Sequence, residues 1–219
     1  MKQTFSGSLA NGELSHWKEI LQQWCNLIEQ WCVVATPDRP WWHLEISNAG
    51  LISTAAIQCG HASLVESAVS KTGNKNSRSD LWIKFSQPLD SLIFNTEEFI
   101  ELKISVVHGK KVNLSGHNNA IKDAIAVDWP CRAKIAACIF IVKPDDRGSE
   151  IYFQEVVTDV QRKTNAEAIA WSFPSAARDI PASTGIFEPG IILTLKLVGH
   201  QTAKEYCSHA LAGNLESTN

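Results

Sequence analysis

The chain has 219 residues and a formal net charge of −3, from 20 Lys and Arg against 23 Asp and Glu. Hydrophobic residues make up 44% of it, which is a globular composition and excludes a disordered chain, and the length suits one domain with a buried core. The acidic balance excludes a protein that grips nucleic acid by bulk charge alone, though not a local basic groove or a cationic partner.

Residues 1–12 are polar and rich in Gly and Ser, which predicts a loose arm. From Glu13 to Val34 the residues Leu14, Trp17, Leu21, Trp24, Ile28 and Trp31 recur at steps of three and four, one face of a helix. TPDRP ends it. WWHLEIS reads as a short strand or as the lead into a second helix capped by Ser47 or Asn48. That helix is expected to run through LISTAAIQCGHASLVESAV to Lys71. KTGNKNSRS is turn chemistry. Two strands follow, DLWIKF and FIELKISV, joined by SQPLDSLIFNTEE. HGKKVNLSG is a loop, HNNAIKDAIAVDW a helix closed by Pro130, and KIAACIFIV a strand covered on both faces. Tyr152 to Trp171 is mostly helical, with Gln154 and Glu155 at its start, and GIILTLKLVG is a last strand before a frayed tail.

This order predicts an α/β fold, a mixed central sheet flanked by helices. All 219 residues are expected in a single domain. Its parts are the arm at 1–12, an N-terminal helix and lead-in at 13–47, a core at 48–142, a helix and strand at 143–200, and a tail at 201–219. No apolar run reaches the roughly 18 residues of a membrane span, and MKQTFSGSLANGELSHW holds no apolar core of signal-peptide length. A cytoplasmic protein without a membrane partner is the expectation. The six cysteines form no Cys-x-x-Cys pair and fall mostly in apolar stretches, so they read as small core residues of a reducing compartment.

The two central strands carry charges that their apolar neighbours do not explain. Glu101 and Lys103 are two apart on a strand and share one face, while Leu102 and Ile104 take the other. Asp80 opens the preceding strand, and antiparallel pairing carries it towards Glu101. Two carboxylates brought together repel unless a cation sits between them. Hard oxygen ligands on an open site suit magnesium or manganese, and a lysine beside them orients a water or stabilises developing charge. That is an arrangement for metal-assisted hydrolysis of a phosphodiester. The bland alternative is a half-exposed sheet face with a cross-strand salt bridge, worth about 0 to 1 kcal/mol.

Asp80 in RSDLWIKF and Glu101-Leu102-Lys103 in FIELK resemble the PD-(D/E)xK nuclease superfamily, the restriction-endonuclease-like fold. The resemblance covers roughly Leu51 to Val142 and departs from the pattern at Ser79, where proline is usual. It implies Mg2+ or Mn2+ held by Asp80, Glu101 and the Leu102 carbonyl, with Lys103 near the attacking water and DNA as substrate. An acid on the helix before the aspartate is common in that family, and Glu66 in SLVESAV is the candidate.

Lys71, Lys75 and Arg78 before Asp80, and Lys110 and Lys111 after Lys103, read either as phosphate-holding clusters or as solubilising charge. His108 and His117 flank the loop after the E-x-K strand. The stripe of Trp17, Trp24 and Trp31 either packs in the chain's own core or docks a second subunit. Two functions follow: a metal-dependent endonuclease, acting alone or as a homodimer, or a non-catalytic binding and assembly subunit of a defence or mobile-element complex on the same fold.

Overall fold

A computed structural model describes residues 4–72, 74–86, 96–128, 131–146, 148–178, 180–182 and 185–200. The eight strands among them form one mixed sheet. In chain order they are β1 (Phe5–Ala10), β2 (Ala62–Lys71), β3 (Asn74–Lys84), β4 (Glu97–His108), β5 (Lys111–Val112), β6 (Ala133–Lys143), β7 (Ala168–Phe173) and β8 (Gly190–His200). The helices are α1 (Lys18–Val34), α2 (Glu45–Gln58), α3 (Ser115–Ala126) and α4 (Glu150–Thr164). Across the sheet the order is β1-β7-β8-β6-β4-β3-β2, with β5 paired to the end of β4. Among the described strands only β4 and β6 pair in parallel. A parallel pair needs a crossover connection, and α3 supplies it.

Strand parity divides the core. Ile135, Ala137 and Ile139 of β6, with Ile100 and Leu102 of β4, pack under α1 and α2. Cys138, Phe140 and Val142 of β6 face Phe153, Val156 and Val160 of α4. KIAACIFIV is thus a strand covered on both faces, as its unbroken apolar run requires. Trp17 and Trp24 are fully buried in the layer under α1, so this part of the tryptophan stripe belongs to the chain's own core. The α/β sandwich with a mixed sheet is as the sequence predicts.

Several expectations are corrected. Residues 5–10 are not a loose arm but β1, an edge strand whose backbone hydrogen bonds are taken up by β7. The second helix does not reach Lys71: it ends at Gln58, where Gly60 takes a positive φ of 86° and His61 N closes on Ala56 O at 3.0 Å. It also starts earlier, with Leu44 rather than Ser47 or Asn48 at its cap. After Gly60 the chain turns into β2, and β2 and β3 form a long hairpin through the stretch that reads as turn chemistry. In the last third Ser149 caps α4, which is therefore open before Gln154, and the segment to Trp171 includes strand β7 rather than more helix. Most of SQPLDSLIFNTEE, with Pro130 and the tail from 201, lies outside the described residues.

Candidate functional site

The site begins where β3 leaves β4. The two strands pair from Lys84↔Glu97 to Leu81↔Ile100. Beyond that point carboxylates take the place of a neighbouring strand. Leu102 N donates to Asp80 Oδ2 at 2.8 Å, and Ile104 N donates to Glu45 Oε1 at 3.3 Å. The Ser79 hydroxyl donates to the Ile100 carbonyl at 3.0 Å. Leu102 N, Ile104 N and the Ile100 carbonyl of β4 are thus satisfied by side chains, which keeps the fork open.

Lys103 sits in this fork. Its Nζ donates to the Leu102 carbonyl at 3.0 Å and stands 3.5 Å from a carboxylate oxygen of each of Asp80, Glu45 and Asp123. Burial lowers the affinity of this ammonium for its proton, but the charges of Asp80, Glu45 and Asp123 outweigh it and leave the Lys103 pKa raised. Lys103 is held as a cation and hydrogen-bond donor.

Glu101 shares its strand face with Lys103 and is 1% exposed. Burial pushes its carboxyl above the usual glutamate range, with the Asp80 charge adding to the rise and the Lys71 ammonium opposing it. Lys71 Nζ lies 2.9 Å from Glu101 Oε1. That is ion-pair distance, and the ammonium is the one cation so close to this buried carboxylate among the described residues.

Three of the four predicted acidic and basic residues therefore converge on one fork: Asp80, Glu101 and Lys103. The Leu102 carbonyl faces it as well, through Lys103. Glu66 does not join them. It is on β2, not on a helix, with a positive φ of 55° and its carboxylate turned to Arg78 at 2.9 Å. The ladder runs Val65↔Leu81 and then Ser67↔Ser79, so its backbone lies across from Asp80 while its side chain points elsewhere.

The helix acid at the fork is Glu45, in the first turn of α2, where the helix dipole favours a carboxylate. Sequence reasoning missed it by starting that helix three or four residues too late, at a cap of Ser47 or Asn48 rather than Leu44. Asp123 arrives from α3. Gly116 lets that helix lie against β4, since a Cβ there would stand 2.6 Å from the Ile104 carbonyl oxygen. Asp123 is two turns further along the same face.

The other flagged residues divide. Lys71 belongs to the fork, whereas Arg78 pairs with Glu66 and Lys110 with Glu155; the Lys75 side chain lies outside the described residues. His108 is exposed, and His117 is buried on the sheet-facing side of α3 with Ala120 and Ala124. Burial, then the Lys196 charge, lowers the His117 pKa and favours a neutral ring.

Among the described residues, no group of three or more His, Cys, Asp or Glu side chains is gathered closely enough to hold a metal ion unaided. The fork instead offers hard oxygen donors, among them the Asp80 and Glu101 carboxylates and the Leu102 carbonyl. Asp80, Glu45, Glu101 and Asp123 face the two ammonium groups of Lys71 and Lys103, an excess of two negative charges when all are ionised. No helix among the described residues is long and apolar enough to cross a membrane. No family model, curated protein or solved structure matches this chain.

Proposed function

We propose that the chain is a metal-dependent nuclease that hydrolyses phosphodiester bonds in DNA. The observation that carries this reading is the fork itself: Asp80, the Leu102 carbonyl and Lys103 meet there, with Glu101 buried beside them. The order α2, β2, β3, β4, α3, β6, with the E-x-K strand parallel to the buried strand after the crossover helix, supports a restriction-endonuclease-like core. The local excess of two negative charges matches the charge of one Mg2+ or Mn2+ ion.

In this reading Asp80, Glu101 and the Leu102 carbonyl would hold the ion. When bound, it supplies Lewis-acid polarisation of a phosphoryl oxygen and lowers the pKa of a coordinated water. Asp80 keeps its hydrogen bond from Leu102 N, which fixes the carboxylate against β4. Lys103, held protonated by its carboxylates, donates to the attacking water or a non-bridging phosphate oxygen. Glu45 anchors the Ile104 amide and steadies the Lys103 ammonium. The water oxygen forms its bond to phosphorus as the bond to the leaving sugar oxygen breaks, with the water's proton passing to solvent and the leaving oxygen taking a proton from solvent. The reading takes a cytoplasmic setting for this reaction.

The test is cleavage of supercoiled plasmid and linear duplex with Mg2+ or Mn2+. Nicking that is lost in Asp80→Asn and Lys103→Met, with the fold retained, supports the reading. Absence of cleavage in the wild type, or cleavage that survives both changes, sinks it.

A second reading, an assembly subunit on the same fold, draws on one surface. Val33, Val34, Leu44 and Ile46 are exposed apolar residues at the α1–α2 end, and Leu27, Trp31 and Leu51 line an open groove beside Val34. It predicts a stable dimer or a hetero-complex and no cleavage by the chain alone. A monomer by light scattering that cuts DNA counts against it.

A further inference from the structure

The β2–β3 hairpin ends beside the fork, and its last β2 residue, Lys71, reaches into it. We infer that Lys71 is a further working residue of this site: its ammonium occupies Glu101 until a divalent cation takes that carboxylate, and it then turns to a phosphate oxygen of the substrate. The inference rests on the nuclease reading above.

Four observations carry it. An ionised carboxylate as buried as Glu101 needs a cation, and Lys71 at 2.9 Å provides one. Among the described residues Lys71 is the one cation within ion-pair distance of that carboxylate, and its side chain keeps some exposure to solvent. Lys103 cannot replace it, because Asp80, Glu45, Asp123 and the Leu102 carbonyl already engage that ammonium. Finally, the backbone around Lys71 is fixed, so any exchange falls to its side chain. Lys71 bridges to Val127, Thr72 N donates to Ala126 O at 2.8 Å, and Asp128 N donates to Ser70 O at 2.7 Å. The hairpin tip is pinned to the end of α3, and the flexible four-carbon stem of a side chain 20% exposed does the moving.

The consequence is a competition. A divalent ion at Glu101 must displace one positive charge, and the displaced charge stays tethered at the mouth of the fork, where the substrate's phosphate arrives. Lys71 thus opposes metal entry in the free protein and favours DNA in the metal-loaded one.

The experiment titrates Mn2+ into the metal-free protein at about pH 8, where carboxylates of ordinary glutamate character are ionised. By calorimetry or electron paramagnetic resonance, Lys71→Met binds Mn2+ roughly fivefold tighter than wild type, as expected for loss of one partly exposed ion pair. Lys71→Arg stays close to wild type. In saturating Ca2+, used as a hard divalent cation, Lys71→Met binds duplex DNA roughly fivefold more weakly, as loss of one phosphate contact predicts.

Mn2+ binding by Lys71→Met that is unchanged or weaker overturns the inference, and so does unchanged DNA binding. Wild type and Glu101→Gln run in the same titration keep the two failures apart: equal Mn2+ binding by both overturns the reading of the fork itself. Should Lys71→Met not fold, the wild-type lysine Nζ resonances decide. A Lys71 signal that moves on adding Mg2+ supports the exchange, and one that stays fixed at saturation overturns it.

Discussion

Glu98 and Glu101 are three residues apart on β4, both buried, and on opposite faces of the sheet. Glu98 is surrounded: Trp17 Nε1 donates to Oε2 at 2.7 Å, His16 Nε2 lies 2.9 Å from Oε1, and Arg132 Nη1 pairs with Oε1. Both of its oxygens have partners from the N-terminal 3-10 turn and the loop before β6. Glu101 has a single cation, Lys71, at ion-pair distance among the described residues. A buried acid that is fully satisfied ties the fold together. A buried acid left short of partners sits where a further cation is favourable. Sequence alone makes these two glutamates near equivalents in EEFIELK; their surroundings make one a knot and the other a candidate ligand.

The sharpest way to break this comparison is chemical. Glu101→Gln is expected to lower metal-dependent DNA cleavage by at least about 10³-fold while leaving circular dichroism unchanged. Glu98→Gln, measured per folded molecule, is expected to leave cleavage within about threefold, since nothing it touches reaches the fork. Equal losses in both would erase the distinction.

Stability is expected to show the reverse order. Arg132→Met leaves the Glu98 carboxylate buried without its cation, and urea denaturation should report a loss of about 3 to 5 kcal/mol. A loss below about 1 kcal/mol would mean that His16 and Trp17 suffice, and that the knot is looser than its geometry suggests.

Glu45→Gln tests the rim of the fork. The amide keeps an oxygen for Ile104 N but loses a charge on Lys103. Cleavage should fall about tenfold, equivalent to about 1.4 kcal/mol, with the larger part in kcat.

A smaller effect is the pH dependence of the metal-free protein. The folded pKa of Glu101 is raised, so the stability associated with its protonated form is present below the unfolded-state pKa and is lost as pH rises through the folded value. Wild type should lose stability across that interval. Glu101→Gln does not titrate, should lack that loss, and should be about 1 kcal/mol more stable than wild type on its alkaline side. Thermal melts in chelator, compared across the interval, read this out; parallel curves would mean that Lys71 fully compensates the carboxylate. The smallest expected effect is that of Glu66→Ala. With its carboxylate exposed and paired to Arg78, both stability and cleavage should stay within about 0.5 kcal/mol of wild type.

Much of the layout was legible in particular residues. The unbroken KIAACIFIV required a strand between two layers, and β6 is that strand. Glu101 and Lys103 had to share a face because side-chain direction along a strand repeats every two residues. The helix ending at Gln58 was misread because LISTAAIQCGHASLVESAV is helix-compatible throughout, and only Gly60 in its positive-φ conformation marks the break. That one boundary moved Glu66 from helix to strand, while the late start of the same helix hid Glu45 as the helix acid. β1 and β7 were missed because neither GlySer-rich FSGSLA nor AIAWSF alternates in hydrophobicity; each is a strand through its partner.

The sequence by itself determined what covalent spacing controls: which side chains lie on one face of a strand or helix, and that the chain has enough apolar residues to bury a two-sided sheet. Only the tertiary structure decided which distant residues meet at the fork. Glu45 lies 59 positions before the amide it caps, and Lys71 and Asp123 reach the same place from a hairpin tip and a crossover helix. Those meetings depend on where helices stop and strands part, and these are set by long-range packing and by the need to satisfy each open ladder group, not by any local pattern.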